Sequence, residues 1–292
     1  MRVTEQMRYD GVSNNLSKLS ARQAKAAQEA QTGLRVNLPS DDPIAAASLA
    51  RLSAAQSQNS ARRDTILLVR GDAELAESSL QQASDLMATA KELAMQGGNG
   101  TLGASERATL ALQVKDIRAQ LVGIANTRGT SGYLFGGSAT QSKPFSDSGV
   151  FSGNDDGHVV DIGNSTPTNV SPSGAQAFTS AGGRDVFADL DALYTALNTN
   201  DTGGIASSLD GITTSRSQIT NAQAAVGLTI NKLDTSDSVL SAVELQNSRR
   251  AEEVGSTDPA KAYSTLVQLN NALEQSLTVS KSILDLAAFK QF

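Results

Sequence analysis

The sequence predicts a mainly α fold: an elongated bundle of long, coiled-coil-like helices, with both termini at one end and a small β-rich insert at the other. Three observations lead there. Near both ends small apolar residues recur at alternating steps of three and four, the seam of a coiled coil. Aromatics are 4% and hydrophobics 39% of the 292 residues, and Trp is absent, which suits long thin helices better than the thick core of an α/β enzyme. Between the helical stretches, residues 130–183 lose the period and become rich in Gly, Ser, Thr, Asn and Pro.

The first helix is expected from about Val3 to Thr32. Its seam is Val12, Leu16, Leu19, Ala26 and Ala30, with Gln23 filling one step, and Gly33 supplies the C-terminal stop. The run Asn37-Leu38-Pro39-Ser40-Asp41-Asp42-Pro43 then breaks the chain and restarts it, with Asp42 as N-cap and Pro43 in the first helical position. The second helix spans Pro43 to Gln96, about 80 Å at about 1.5 Å per residue. Leu52, Ala55, Ile66, Val69, Ala73, Ala76, Leu80, Ala83, Met87, Ala90 and Ala94 keep one alternation, interrupted only by Asn59 and Arg62. Gly97-Gly98-Asn99-Gly100 ends it. A third helix starts near Ser105, carries Leu110, Val114, Ile117, Leu121 and Ile124, and stops at Gly129.

Beyond it, Val150-Phe151 and His158-Val159-Val160-Asp161-Ile162 flank Asn154-Asp155-Asp156-Gly157, a β-hairpin pattern with an Asp-Gly turn. Further short strands are expected near Val170 and Phe178. The helical pattern resumes at Asp185 with Phe187, Leu190, Leu193, Tyr194 and Leu197, and Gly203-Gly204 should break it. A long seam follows through Ile205, Leu209, Ile212, Ile219, Val226, Ile230, Leu233 and Leu240. Gly255-Ser256-Thr257-Asp258-Pro259 repeats the Asp-Pro start signal. The terminal helix carries Ala262, Leu266, Leu269, Leu273, Ile283 and Ala287, with Ser276 and Ser280 filling two steps.

Composition and motifs exclude much. The net charge of −6 and pI near 4.9 argue against a nucleic-acid partner, because Arg62, Arg63, Arg249 and Arg250 are scattered among acids and not gathered on one basic face. With no Cys, disulfides and thiolate metal sites are excluded. The longest aliphatic run, Ile66-Leu67-Leu68-Val69, is far too short for a membrane span. No basic stretch leads into an apolar core at the start, so no cleavable secretory signal is expected. The single His, His158, rules out a His-based triad or a two-histidine metal site within one subunit. Neither a G-x-x-x-x-G-K nor a G-x-G-x-x-G phosphate cradle is expected, and the Gly97–Gly100 stretch follows a helix, as a C-cap and turn. Asn154-Asp155-Asp156 lacks the EF-hand spacing and its distal Glu. Asp41-Asp42 reads as helix capping. No cofactor, metal site or catalytic constellation is expected.

Several runs resemble the flagellin superfamily. Met1-Arg2-Val3-Thr4, Thr32-Gly33-Leu34-Arg35-Val36-Asn37 and Pro39-Ser40-Asp41-Asp42-Pro43 are similar to its N-terminal region. Lys91-Glu92-Leu93-Ala94-Met95-Gln96 with Asn99-Gly100-Thr101-Leu102 is similar to the family's "RELAxQ…NGT" stretch. Ala125-Asn126-Thr127 with Gly132-Tyr133-Leu134-Phe135-Gly136-Gly137 resembles the step into the variable middle. The likeness covers roughly 1–137 and 185–292, though the ending Ala287-Ala288-Phe289-Lys290-Gln291-Phe292 is not the commonest. Pro39 to Pro43 and Tyr133 to Gly137 resemble the hook–filament junction branch more than flagellin, which usually reads Ser-Ala-Ala-Asp-Asp-Ala at the first position. A short flagellin, the filament subunit itself, is the alternative.

The resemblance implies an extracellular structural protein of the bacterial flagellum, exported unfolded by the flagellar type III route with an export chaperone. It implies a ring of copies that joins hook-associated protein 1 to flagellin, with no nucleic acid and no membrane as partner. It also implies a layered organisation: 1–36 with 258–292 as a terminal helical domain forming an inner tube, 37–137 with 184–257 as the long-helix core, and 138–183 as an outer insert. Val12, Leu16, Leu19, Leu266, Leu269, Leu273 and Ile283 are the expected assembly seam. Because that seam is thin and alanine-rich, the terminal domain is expected to be disordered in the monomer.

Overall fold

The computed structural model describes residues 5–157, 159–163, 168–170 and 172–289, and excludes the side chains at 5, 6, 8 and 283–289. His158 and the side chains of Ile283 and Ala287 therefore lie outside the described residues. Helices dominate: α1 (Glu5–Thr32), α2 (Pro43–Gly97), α3 (Ala104–Ala125), α4 (Gly174–Phe178), α5 (Val186–Asn198), α6 (Thr202–Gly255) and α7 (Pro259–Phe289). One antiparallel ladder joins β1 (Val159–Val160) to β2 (Thr168–Asn169), pairing Val159 with Asn169 and Val160 with Thr168. The chain divides into two units, Met1–Ser57 with Val243–Phe292, and Gln58–Ala242.

In the second unit, α2, α3, α5 and α6 share one core. Leu80 and Met87 from α2 meet Val114 and Leu121 from α3, Leu190, Leu193 and Leu197 from α5, and Ile205, Ile212 and Ile219 from α6. Each sits on its helix at the three-four spacing that puts residues on one face. Burying a Leu or Ile fully contributes about 1.5–3 kcal/mol, so the large residues dominate and the seam alanines let the helices approach. Asn59 is buried, and Arg62 donates to Asp161 Oδ2 at 3.0 Å.

The insert packs on these helices. Val160, Ile162 and Val170 cover Ile66 and Val69 of α2 and Leu233 and Leu240 of α6. Five of the seven phenylalanines gather at its base: Phe145 lies 5.0–5.6 Å from the rings of Phe151, Phe178 and Phe187, and Phe135 meets Phe178 edge-on at 5.4 Å. An aromatic-poor chain has concentrated its aromatics where the helical seams give out.

Three expectations are corrected here. The 154–157 stretch is not a hairpin turn, since β1 pairs with β2 and Phe151 bridges Phe145. Asn154 and Asp155 are held elsewhere: Asn154 Oδ1 accepts from Ser138 N at 2.9 Å, its Nδ2 donates to Ser138 Oγ at 2.8 Å, and Asp155 accepts from Ser173 Oγ and from Gln176 Nε2. Phe178 is helical, because Ser173 Oγ caps α4 by accepting Gln176 N–H at 3.0 Å. Gly203-Gly204 does not interrupt the chain but lies in the first turn of α6, whose cap is Asp201 accepting from Gly204 N at 3.0 Å. The break falls one step earlier, at Asn200, which adopts the left-handed φ of 56°.

Candidate functional site

In the first unit, α1 and α7 pack antiparallel. Leu34 bridges Ser256 at one end of the pair, and Gln23 Nε2 donates to Asn270 Oδ1 at 2.9 Å further along. The expected seam residues lie on these two helices, Ile283 with its side chain outside the described ones. Val12, Leu16, Leu19, Leu266, Leu269 and Leu273 are half-buried, and Ala26 and Ala262 are buried at 6% and 4% exposure. The two helices that carry these residues thus meet each other within one chain. Polar Gln23 is tolerated because Asn270 satisfies it across the pair.

The breaks after α1 and before α7 are buckled together. Gly33 ends α1 with φ 69°, its N–H donating to Glu29 O at 2.9 Å, and its carbonyl accepts from Thr257 N at 3.0 Å. Arg35 N donates to Gly255 O at 2.7 Å, and its guanidinium reaches Val254 O at 2.8 Å and Asp42 Oδ2 at 3.0 Å. Asp42 Oδ1 accepts Ala45 N–H at 3.0 Å, so it is the N-cap of α2, and Asp258 Oδ1 accepts Ala260 N–H at 2.8 Å for α7. Both Asp-Pro starts behave as the sequence predicts. Asp41 folds the loop on itself, accepting from Leu38 N at 2.9 Å and pairing with Lys25 at 2.9 Å. The Lys25 hydrogen bond holds the Asp41 carboxyl below the ordinary aspartate range. The Ala45 N–H, then Arg35, do the same for Asp42. Of the run Pro39 to Pro43, the two carboxylates fasten the buckle, while Pro39, Ser40 and Pro43 are exposed.

The pair leaves apolar side chains uncovered. Tyr263 (67% exposed), Val267 (45%) and Leu277 (49%) recur at helical spacing along α7, and Tyr9 (60%) lies on α1. An open groove beside them is lined by Leu16, Ser20, Ala24, Leu273 and Leu277. Scattered exposed apolar residues are ordinary, but those of α7 share one face and flank a groove.

The second motif, Tyr133 to Gly137, has a different character. Leu134, Phe135, Gly136 and Gly137 are buried, and the Arg128 guanidinium lies 5.1 Å from the Tyr133 ring centre. Gly137 has φ 68°, and a Cβ there would stand 2.1 Å from Asn154 O. This motif is a folding knot at the base of the insert, on a different unit from the terminal pair.

Sequence reasoning missed two buried polar anchors. Arg107, 4% exposed, donates to Gly97 O at 2.7 Å, Asn99 O at 2.9 Å and Asn200 Oδ1, tying the α2–α3 turn to the α5–α6 turn. Gln218, 7% exposed, donates to Ala177, Thr179 and Arg184 carbonyls at 3.0–3.2 Å and accepts Arg184 N–H at 2.9 Å. Nothing in their local patterns marks them, because their partners lie beyond their own helical turn, eight residues away or more for Arg107, as far as Asn200, and in the 177–184 stretch for Gln218. Gly98-Asn99-Gly100-Thr101-Leu102-Gly103 fits the letters G-x-G-x-x-G, yet it joins two helices with no strand before it, the wrong context for a phosphate cradle. Among the described residues no cluster of three or more His, Cys, Asp or Glu could hold a metal, and no helix is long and apolar enough to cross a membrane.

The model of the bacterial flagellin N-terminal helical region matches residues 3–140. The chain is 30% identical over 300 residues to flagellar hook-associated protein 3 of Salmonella typhimurium, covering 94% of this chain and 95% of that one. It is 29% identical over 314 residues to flagellar hook-associated protein 3 of Escherichia coli, covering 99% of each. A flagellar hook-associated chain solved from Vibrio parahaemolyticus shares the fold with a TM-score of 0.69 at 22% identity, over 74% of this chain and all of that one. FlgL of Xanthomonas campestris does so with a TM-score of 0.61 at 18% identity, over 70% and 99%. The capped breaks, the paired terminal helices and this likeness along nearly the whole length agree: the chain belongs to the flagellar hook-associated protein 3 family.

Proposed function

We propose that this chain is a structural adaptor of the bacterial flagellum, and that copies of it form a ring joining hook-associated protein 1 to the first layer of flagellin. The observation that carries this reading is the likeness to hook-associated protein 3 over nearly the full length, which a short flagellin does not explain. In this reading residues 1–36 and 258–292 form the inner layer, 37–137 with 184–257 the core around them, and 138–183 an outer insert. Val12, Leu16, Leu19, Leu266, Leu269, Leu273 and Ile283 hold the terminal helices together. The uncovered Tyr263, Val267 and Leu277 face helices of neighbouring subunits. So thin a pair is marginal alone, so its order depends on assembly. The chain reaches the outside through the flagellar export apparatus, escorted by a chaperone.

Electron microscopy of a deletion strain tests this. Hooks should remain without filaments, and flagellin should appear in the medium. A strain that instead loses its most abundant filament protein would identify the chain as a flagellin. Hooks without filaments but with no flagellin exported would refute the junction role.

A further inference from the structure

The turn between α2 and α3 contains the one Asn-Gly pair in the chain, Asn99-Gly100, and both residues are exposed. Asn-Gly peptides deamidate when the glycine nitrogen attacks the asparagine side-chain carbon. Three features of this turn assist that attack. First, nothing lies within 4 Å of where a Gly100 Cβ would stand, and among the described residues no acceptor takes the Gly100 N–H. The nucleophile is therefore unhindered and not held by a hydrogen bond. Second, Asn99 O, the carbonyl of the same peptide group, accepts from Arg107 Nη2 at 2.9 Å and from Leu102 N at 3.1 Å. Polarising that carbonyl with a cation acidifies the attached N–H and favours the amide anion that attacks. Third, Asn99 Oδ1 accepts from Thr101 N at 3.2 Å and Thr101 Oγ1 at 3.0 Å. Those donors point at the oxygen on which negative charge develops as the tetrahedral intermediate forms, the arrangement that stabilises an oxyanion.

We infer that Asn99-Gly100 is a self-modifying site, where the fold promotes succinimide formation and conversion of Asn99 to aspartate or isoaspartate. Solvent base removes the Gly100 amide proton. A bond forms between Gly100 N and Asn99 Cγ, the Cγ–Nδ2 bond breaks, and ammonia leaves with a proton from solvent. Water then opens the cyclic imide at either carbonyl. Opening at the former Cγ carbonyl leaves an ordinary aspartate. Opening at the main-chain carbonyl leaves isoaspartate, with one extra methylene in the backbone. The isoaspartate product turns the Asn99 main-chain carbonyl, which accepts from Arg107, into a free carboxylate, whereas the acceptors of Arg107 in the parent chain among the described residues are neutral. The modification thus acts on the residue that clamps the α2–α3 turn to the α5–α6 turn.

The test compares the folded chain with its own tryptic peptide Glu92–Arg107, both incubated at mildly alkaline pH and followed by peptide-mapping mass spectrometry and isoaspartyl methyltransferase labelling. The folded chain should convert faster than the peptide. Thr101→Val, which removes one donor, should slow the folded chain about three- to tenfold, the rate equivalent of one hydrogen bond, and leave the corresponding peptide nearly unchanged. Asn99→Ala should abolish the signal, and circular dichroism checks that each variant is folded. Conversion in the folded chain at or below the peptide rate overturns the inference. So does a Thr101→Val chain that is folded and converts at the parent rate.

Discussion

Replacing Leu266 with Asp separates the two units most sharply. Leu266 is half-buried in the α1–α7 contact, so removing it forfeits roughly half the value of a fully buried leucine, about 1–1.5 kcal/mol. Partly desolvating a carboxylate there costs about a further 1–2 kcal/mol. Together this is about 2–3.5 kcal/mol against a pair whose leucine positions are only half-buried, and helices of this composition are marginal alone. The second unit, with its own core from α2, α3, α5 and α6, shares no seam residue with this site. Distant sites without shared partners behave additively, so the main thermal transition should move by less than about 1 °C. Limited proteolysis followed in time should show the segments before about residue 36 and after about residue 258 cut several-fold faster, with the middle equally resistant. Complementation of a deletion strain should fail to restore filaments. A variant that lowers the main transition by several degrees, or restores filaments fully, would refute the assignment of Leu266 to a separate assembly seam.

Three further outcomes are expected. Phe178→Ala removes a fully buried ring that meets Phe135, Phe145 and Phe187, and should destabilise the second unit by about 3–5 kcal/mol in urea unfolding; a loss under about 1 kcal/mol would mean the cluster is not its keystone. Gly137→Ala should cost about 2–4 kcal/mol by the same measurement, from a Cβ 2.1 Å from Asn154 O at a φ of 68°. The buckle carboxylates Asp41 and Asp42 have their pKa lowered by Lys25 and by the Ala45 N–H respectively, so their contribution is complete above the unfolded value of about 3.9 and is lost as pH falls through the folded values below it. Proteolytic release of the terminal helices should therefore rise as pH drops below about 4, and the double variant Asp41→Asn/Asp42→Asn should flatten that dependence; an unchanged profile would exclude the buckle as its source.

The helices were legible because their causes are local. A three-four alternation marks a buried face, Asp before Pro marks a start, and Gly33 marks a stop, all within a few residues of one another. Spacing alone placed Val12 to Ala30 and Ala262 to Leu273 on one face each of a helix, and their neighbours marked Asp42 and Asp258 as caps. What spacing could not say is what each face meets. The pairing of α1 with α7, the joining of β1 to 168–169, and the use of Asn154 to hold Ser138 all depend on partners remote in sequence. Tyr133 to Gly137 was recognisable as a motif, but only the fold made it a buried knot, because a glycine required by contact with Asn154 looks in sequence like any turn glycine. Arg107 and Gln218 show the same limit from the polar side. Their letters suggest solvated side chains, and only the folded chain brings carbonyl oxygens to them, for Arg107 from the α2–α3 turn and the Asn200 side chain, for Gln218 from Ala177, Thr179 and Arg184, making burial of those polar groups affordable.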